Sequence, residues 1–254
     1  MELAHKILGA GRPLVVLHGL FGTLDNWQTV GKRLAEGRQV VLVDLPNHGR
    51  SPHVETVDYA DQAAALASFL AEQWMHEVDV LGHSMGAKVA MRFALDEPAR
   101  VRSLIAVDMA PRAYAPGHGE IFAAMRSVPI EADLTRGEID ALLAERIAEP
   151  GVRLFLMKNL ARRREGGFRW KVNLEVLHRE YERLLAPVTG GSWGGPALFV
   201  RGASSDYVRD EDLPDIRELF PAARLETIDG AGHWVHADRP AELLTAVEGF
   251  LAHA

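Results

Sequence analysis

Residues 82–86 read Gly82-His83-Ser84-Met85-Gly86, a match to the pattern G-x-S-x-G. The flanks carry as much information as the pentapeptide. Glu77-Val78-Asp79-Val80-Leu81 reads as a buried strand, and Ala87-Lys88-Val89-Ala90-Met91-Arg92-Phe93-Ala94-Leu95 reads as a helix. A serine on a sharp turn between strand and helix is held above the edge of a sheet with its Oγ exposed. So tight a turn needs close backbone approach, which Gly82 and Gly86 permit because they lack a Cβ. Strand, turn and helix together read as a nucleophile elbow.

Outward from that turn, short apolar runs alternate with helical stretches, the pattern of parallel strands joined by crossover helices. The expected strands are 13–17, 39–43, 78–81, 101–107, 197–200 and 224–228, with 2–8 as an edge strand. The expected helices are 60–74, 85–95, 213–220 and 241–251. Pro240 suits the first turn of the last helix, with Asp238 as its cap. The alternation breaks between Pro111 and Gly195, where the chain reads as helices over 120–128, 138–149, 153–162 and 174–186, with no convincing strand between them. We read this segment as a helical cap over a binding site. The expected division is residues 1–110 and 191–254 as core and 111–190 as cap.

Serine hydroxyl is a weak nucleophile and needs a base, which in turn needs an orienting carboxylate. With an elbow of this kind the chain order is serine, acid, histidine. His233, in Gly230-Ala231-Gly232-His233-Trp234, follows the last expected strand and is the candidate base, with His236 its nearest competitor. Two aspartates stand where an acid is needed. Asp108 ends the strand over 101–107, and Asp206 follows the strand over 197–200. An oxyanion hole requires backbone donors already in place. Met85, directly after the nucleophile, supplies one. Leu20, in His18-Gly19-Leu20-Phe21-Gly22 after an early strand, is the candidate for the other. His18 reads as a buried brace for that loop. Asp44 reads as part of a structural network, and His48, His53, His118 and His178 as surface or loop residues. Asp210-Glu211-Asp212 reads as an acidic helix start. Leu20, Phe21, Phe122, Met125 and Phe155 read as pocket or core, and Trp234 as pocket rim.

The 254-residue chain suits one large α/β domain or two small ones. A net charge of −7 disfavours nucleic acid, whose phosphates require a basic face. With no cysteine there are no disulfides or thiolate metal sites, and no spaced ligand set suggests another metal. No apolar run is long enough to span a bilayer. The N-terminus lacks a signal-peptide pattern, so a cytoplasmic protein is expected, and the serine chemistry is expected to need no cofactor.

His18-Gly19, Asp44-Leu45-Pro46-Asn47-His48-Gly49-Arg50-Ser51, Gly82–Gly86 and Gly232-His233, in this order, resemble the α/β-hydrolase superfamily. Finer features resemble the small bacterial carboxylesterases of the YbfF type. These are His-Gly-Leu-Phe-Gly at 18–22, Val107-Asp108-Met109-Ala110-Pro111, and the stretch from Gly230 to Ala237. The resemblance implies an α/β fold with a mostly parallel central sheet flanked by helices and the helical cap inserted after the sixth strand. It implies hydrolysis of small-molecule acyl esters with small or apolar acyl groups through Ser84, His233 and an aspartate. Most of the superfamily carries the acid at the position of Ser205 here. The YbfF-type esterases use the aspartate that corresponds to Asp108, which therefore ranks above Asp206. An acyl-thioesterase, for which Arg162-Arg163-Arg164 would attract an anionic substrate, and a non-turnover ligand receptor are the rival readings.

Overall fold

The computed structural model describes all residues from Met1 to Ala254. The strands are β1 (His5–Leu8), β2 (Pro13–Leu17), β3 (Gln39–Val43), β4 (Val78–His83), β5 (Val101–Val107), β6 (Leu160–Arg162), β7 (Phe168–Trp170), β8 (Ala197–Gly202) and β9 (Ala223–Ile228). Seven of them form one sheet in the order β1-β3-β2-β4-β5-β8-β9. Only β1 runs antiparallel, pairing His5 with Val43. The register of β2 with β4 sets Leu17 opposite Gly82, and that of β4 with β5 sets His83 opposite Val107. The strand ends that carry the candidate residues therefore lie along one edge.

The central strands are buried on both faces, so they read as unbroken Val/Leu runs with no polar alternation. Val15, Leu17, Val41, Val43, Val80 and Ala106 join one apolar cluster. Their neighbours Leu14, Val16, Val40, Leu42, Leu81 and Val107 join the other. Helices α1 (Gln28–Leu34), α2 (Tyr59–Glu72) and α3 (Met85–Asp96) follow the early strands. The segment between β5 and β8 holds α4 (Gly119–Ser127), α5 (Arg136–Ala144), α6 (Pro150–Met157), α7 (Leu174–Arg179) and α8 (Tyr181–Leu185). Its Phe122, Ile139, Leu156 and Leu177 belong to the first cluster, continuous with α2 and α3. Helices α9 (Leu213–Leu219), α10 (Val235–Asp238) and α11 (Pro240–Leu251) complete the chain.

Several expectations need correction. The inserted segment follows the fifth strand of the chain, not the sixth, because the residues before Pro13 accommodate a single short strand. It also contains strands, since β6 and β7 form an antiparallel hairpin pairing Leu160 with Trp170. Three-residue strands carry too little periodicity to be read in a sequence. The expected helix over 174–186 is two helices that meet at Glu180. Helix α1 carries little helical signal in the sequence because Gly31 sits in its middle, where it packs against Leu42. Asp238 does not cap α11. Arg239 occupies the cap position, and the Asp238 carboxylate accepts a hydrogen bond from the Gly232 amide at 2.9 Å. Pro240 does stand at the first turn.

Candidate active site

The sharp turn after β4 forces Ser84 to φ 53°, ψ −121°, a conformation that only a tightly constrained site sustains. A Cβ on Gly82 would collide with the Gly86 carbonyl, and one on Gly86 with the His18 carbonyl. Both positions are therefore closed to any other residue, which is the physical content of the G-x-S-x-G spacing. The Ser84 amide donates to the Val107 carbonyl at 3.0 Å and ties the turn to β5. One residue further, Asp108 repeats the device. It sits at φ 51°, and its amide donates to the Val200 carbonyl at 2.7 Å.

His233 comes from the loop after β9. Its Nε2 lies 3.0 Å from Ser84 Oγ and its Nδ1 lies 2.7 Å from Asp108 Oδ2. Asp108 is fully buried. Its Oδ1 accepts from the Gly202 amide at 3.1 Å, and Oδ2 also accepts from the Ser205 hydroxyl. Tyr207 stacks on the His233 ring with centroids 3.8 Å apart. His83 Nε2 donates to the His233 carbonyl at 2.8 Å, and burial keeps His83 neutral by lowering its pKa. Asp206 is exposed, and its backbone carbonyl accepts from Arg112. The structure thus brings Ser84, His233 and Asp108 together and leaves the Asp206 carboxylate without a hydrogen bond. Asp108 and Ser205 converge because β5 and β8 are adjacent, so two side chains far apart in sequence share one site.

The loop after β2 faces the same serine. The Leu20 amide makes no hydrogen bond within the protein, and Met85 opens α3, where the amide has no intrahelical acceptor. Three buried side chains hold this loop. His18 accepts from the Leu45 amide at 3.0 Å, and burial lowers its pKa to about 4. His48 accepts from the Phe21 amide at 3.3 Å, and burial lowers its pKa to about 3. Asn159, from the inserted segment, donates to the Phe21 carbonyl at 2.6 Å. His48 is therefore a buried brace and not a surface residue; nothing local in its sequence distinguishes the two. Asp44 accepts from the amides of Leu24 and Arg50, a structural network.

Ser84 is only 8% exposed, and His118, Ile121, Val152 and Phe155 of the inserted segment line a cavity together with it. Two cavities reach it. The smaller is lined by Phe21, Trp27, Phe155, His233, Trp234 and His236 among others. The larger is lined by Tyr59, Met85, Met109, Tyr114, Leu184 and Leu185 among others. Leu20, Ser84 and His118 border both. Phe122 and Met125 lie behind the cavity walls, with Phe122 edge-on to Phe21 at 5.0 Å. His236 stacks on Trp27 at 4.6 Å and is not the group that meets Ser84. His118, read from sequence as a surface residue, faces the site; its Gly117-His118-Gly119 setting carries no signal of this. The arginine run lines neither cavity. Arg163 pairs with Glu131 and Glu165, and Arg162 lies over Phe168.

The α/β hydrolase fold family model matches residues 12–240. The chain is 40% identical over 253 residues to sn-1-specific diacylglycerol lipase ABHD11 of Xenopus laevis, covering 96% of this chain and 81% of that one. It is 36% identical over 240 residues to the esterase YbfF of Escherichia coli strain K12, covering 94% and 92%. The solved structure of a marine microorganism esterase superposes with a TM-score of 0.96 at 39% identity, covering 98% and 99%. No helix is long and apolar enough to cross a membrane. The chain belongs to the α/β hydrolase fold family, within the group that includes the bacterial esterase YbfF.

Proposed function

We propose that this protein is a serine carboxylesterase in which Ser84 is the nucleophile, His233 the general base and acid, and Asp108 the orienting carboxylate. The observation that carries the proposal is the unbroken line from Ser84 Oγ through both His233 nitrogens to a buried carboxylate, at 3.0 Å and 2.7 Å. Asp108 fixes the proton on Nδ1, which leaves Nε2 bare toward the serine. His233 takes the serine proton as Ser84 attacks the ester carbonyl. The Leu20 and Met85 amides hold the oxyanion. His233 then returns the proton to the leaving alkoxide, and water activated by the same ring releases the acid. Losing one oxyanion donor typically costs ~10²–10³ in rate.

Residues 111–190 act as a cap over a core of 1–110 and 191–254. His233 must reach the leaving oxygen, so the alcohol occupies the smaller cavity, which His233 lines. The acyl chain then occupies the larger, largely apolar cavity beside Met85. Ser84→Ala should abolish turnover of p-nitrophenyl butyrate and labelling by a fluorophosphonate; turnover retained by a clean preparation of that variant rejects the assignment.

A further inference from the structure

A row of stacked planar groups ends on the base. The Tyr207 ring lies on the His233 imidazole with centroids 3.8 Å apart and planes at 17°. Tyr114, from the inserted segment, stacks on Tyr207 in turn at 5.4 Å. The Arg112 guanidinium lies over the Tyr114 ring at 4.0 Å and pairs with the Asp212 carboxylate at 2.9 Å, so the far end of the row carries no net charge. Hydrogen bonds fix the row in place. Tyr114 Oη donates to the Tyr207 carbonyl at 2.6 Å and accepts from the Ala110 amide at 2.8 Å. The Tyr207 amide donates at 3.3 Å to Ser205 Oγ, the hydroxyl that itself donates to Asp108. Ser205 therefore ties the ring to the carboxylate, and both meet the same imidazole.

His233 turns positive when it takes the serine proton. The face of an aromatic ring is negative and attracts a cation held over it within ~6 Å. Burial pushes the Tyr207 phenol up, so that ring stays uncharged. The other titratable groups around the imidazole are Asp108 at Nδ1, His83 of β4, His118 ahead of α4 and His236 of α10. Burial, with His233 nearby, lowers the pKa of His118 and of His236 to about 4, and burial lowers that of His83 as well. All three are neutral, so the positive ring meets the Asp108 carboxylate at its edge and Tyr207 on its face. We propose that Tyr207 is a positioning residue for the base, whose ring face holds the imidazole between Ser84 and Asp108 and stabilises the imidazolium over the neutral ring. The ring carries this role and the hydroxyl does not. The inference rests on the proposed esterase reading and adds a residue to its machinery.

The test measures kcat/KM for p-nitrophenyl butyrate from pH 5 to pH 9, on variants first shown by thermal melts to be folded. Tyr207→Leu keeps apolar bulk and removes the face. It should lower the plateau at high pH by about tenfold and move the half-maximal point of the acid limb down by up to about one pH unit, the scale of one cation–π contact. Tyr207→Phe, which keeps the face, should recover most of both. A ring-fluorinated phenylalanine at position 207 keeps the shape and drains the negative face, and it should behave as Tyr207→Leu. This last protein carries the test if the leucine variant fails to fold. Wild-type rates in Tyr207→Leu overturn the inference. So does a loss of rate with the acid limb unmoved, which is packing alone. So does a Tyr207→Phe as slow as Tyr207→Leu, or a fluorinated protein that matches Tyr207→Phe. None of these results touches the esterase assignment, which fails only if Ser84→Ala retains turnover.

Discussion

Asp108→Asn tests the orienting carboxylate most sharply, because the geometry dictates how the amide must settle. Asparagine is nearly isosteric and tolerates the positive φ at this position, so the fold should persist with little change in Tm. The new side chain has one acceptor oxygen and one donor nitrogen, and the site is fully buried. The Gly202 amide donates to Oδ1, so the asparagine oxygen belongs there. The opposite orientation would face two donors at each other, at a cost of about 1–3 kcal/mol. The NH₂ group therefore takes the place of Oδ2, against His233 Nδ1 and the Ser205 hydroxyl, which can turn to accept. Donation to Nδ1 moves the imidazole proton to Nε2, 3.0 Å from Ser84 Oγ. The ring can then no longer accept the serine proton. The loss of kcat should be ~10⁴-fold, equivalent to ~5.5 kcal/mol of barrier. Initial rates with p-nitrophenyl butyrate, normalised to folded protein, measure it. Asp206→Asn should reduce kcat by less than about threefold on the usual scale of surface substitutions. If Asp108→Asn keeps more than a tenth of wild-type kcat while Asp206→Asn loses most of it, the assignment of the acid is wrong.

Three further outcomes follow from buried polar groups. Burial lowers the pKa of His18 to about 4, of His48 to about 3 and of His236 to about 4. The unfolded chain binds these protons first, near pH 6.5, so stability should fall as pH drops from 6.5 toward 4. Thermal melts at pH 7, 5.5 and 4.5 check this, and a flat Tm would contradict it. Lys88 is fully buried one turn after Ser84, and burial lowers its pKa to about 7 while its ammonium donates to the Ala186 carbonyl at 2.6 Å. The unfolded chain keeps that proton up to about pH 10.4, so this group makes stability rise between pH 7 and 9.5. Lys88→Met should flatten that rise, and an unaltered pH slope of Tm in the variant would refute the account. Asn159→Leu leaves the Phe21 carbonyl without its donor, at a cost of about 1–3 kcal/mol. Its Tm should fall by about 5 °C. Its kcat/KM should fall as well, because Leu20 is the next residue of the loop; wild-type values for both would detach Asn159 from the site.

The sheet was legible in the chain because its strands are buried on both faces and its turns are short. The Val-rich runs at 13–17, 39–43 and 101–107 carry their own signal, and the turn at 82–86 has a steric requirement written into its glycines. The order of serine, aspartate and histidine was likewise readable, since it follows from which strand each residue ends. The β6–β7 hairpin and the break at Glu180 were not, because elements of three to six residues owe their form to what they pack against.

The choice between Asp108 and Asp206 could not come from position along the chain. A loop shifted by one residue turns its side chain elsewhere, and only the adjacency of β5 and β8 brings the Ser205 hydroxyl to the same Asp108 carboxylate oxygen that meets His233 Nδ1. His48, Asn159 and His118 belong with this second kind of knowledge. Each owes its place to partners distant in sequence, at Phe21 for the first two and at Tyr181 for the third. Local sequence determines what a backbone segment can form; which hydrogen bonds a buried side chain completes is decided by the packing that surrounds it.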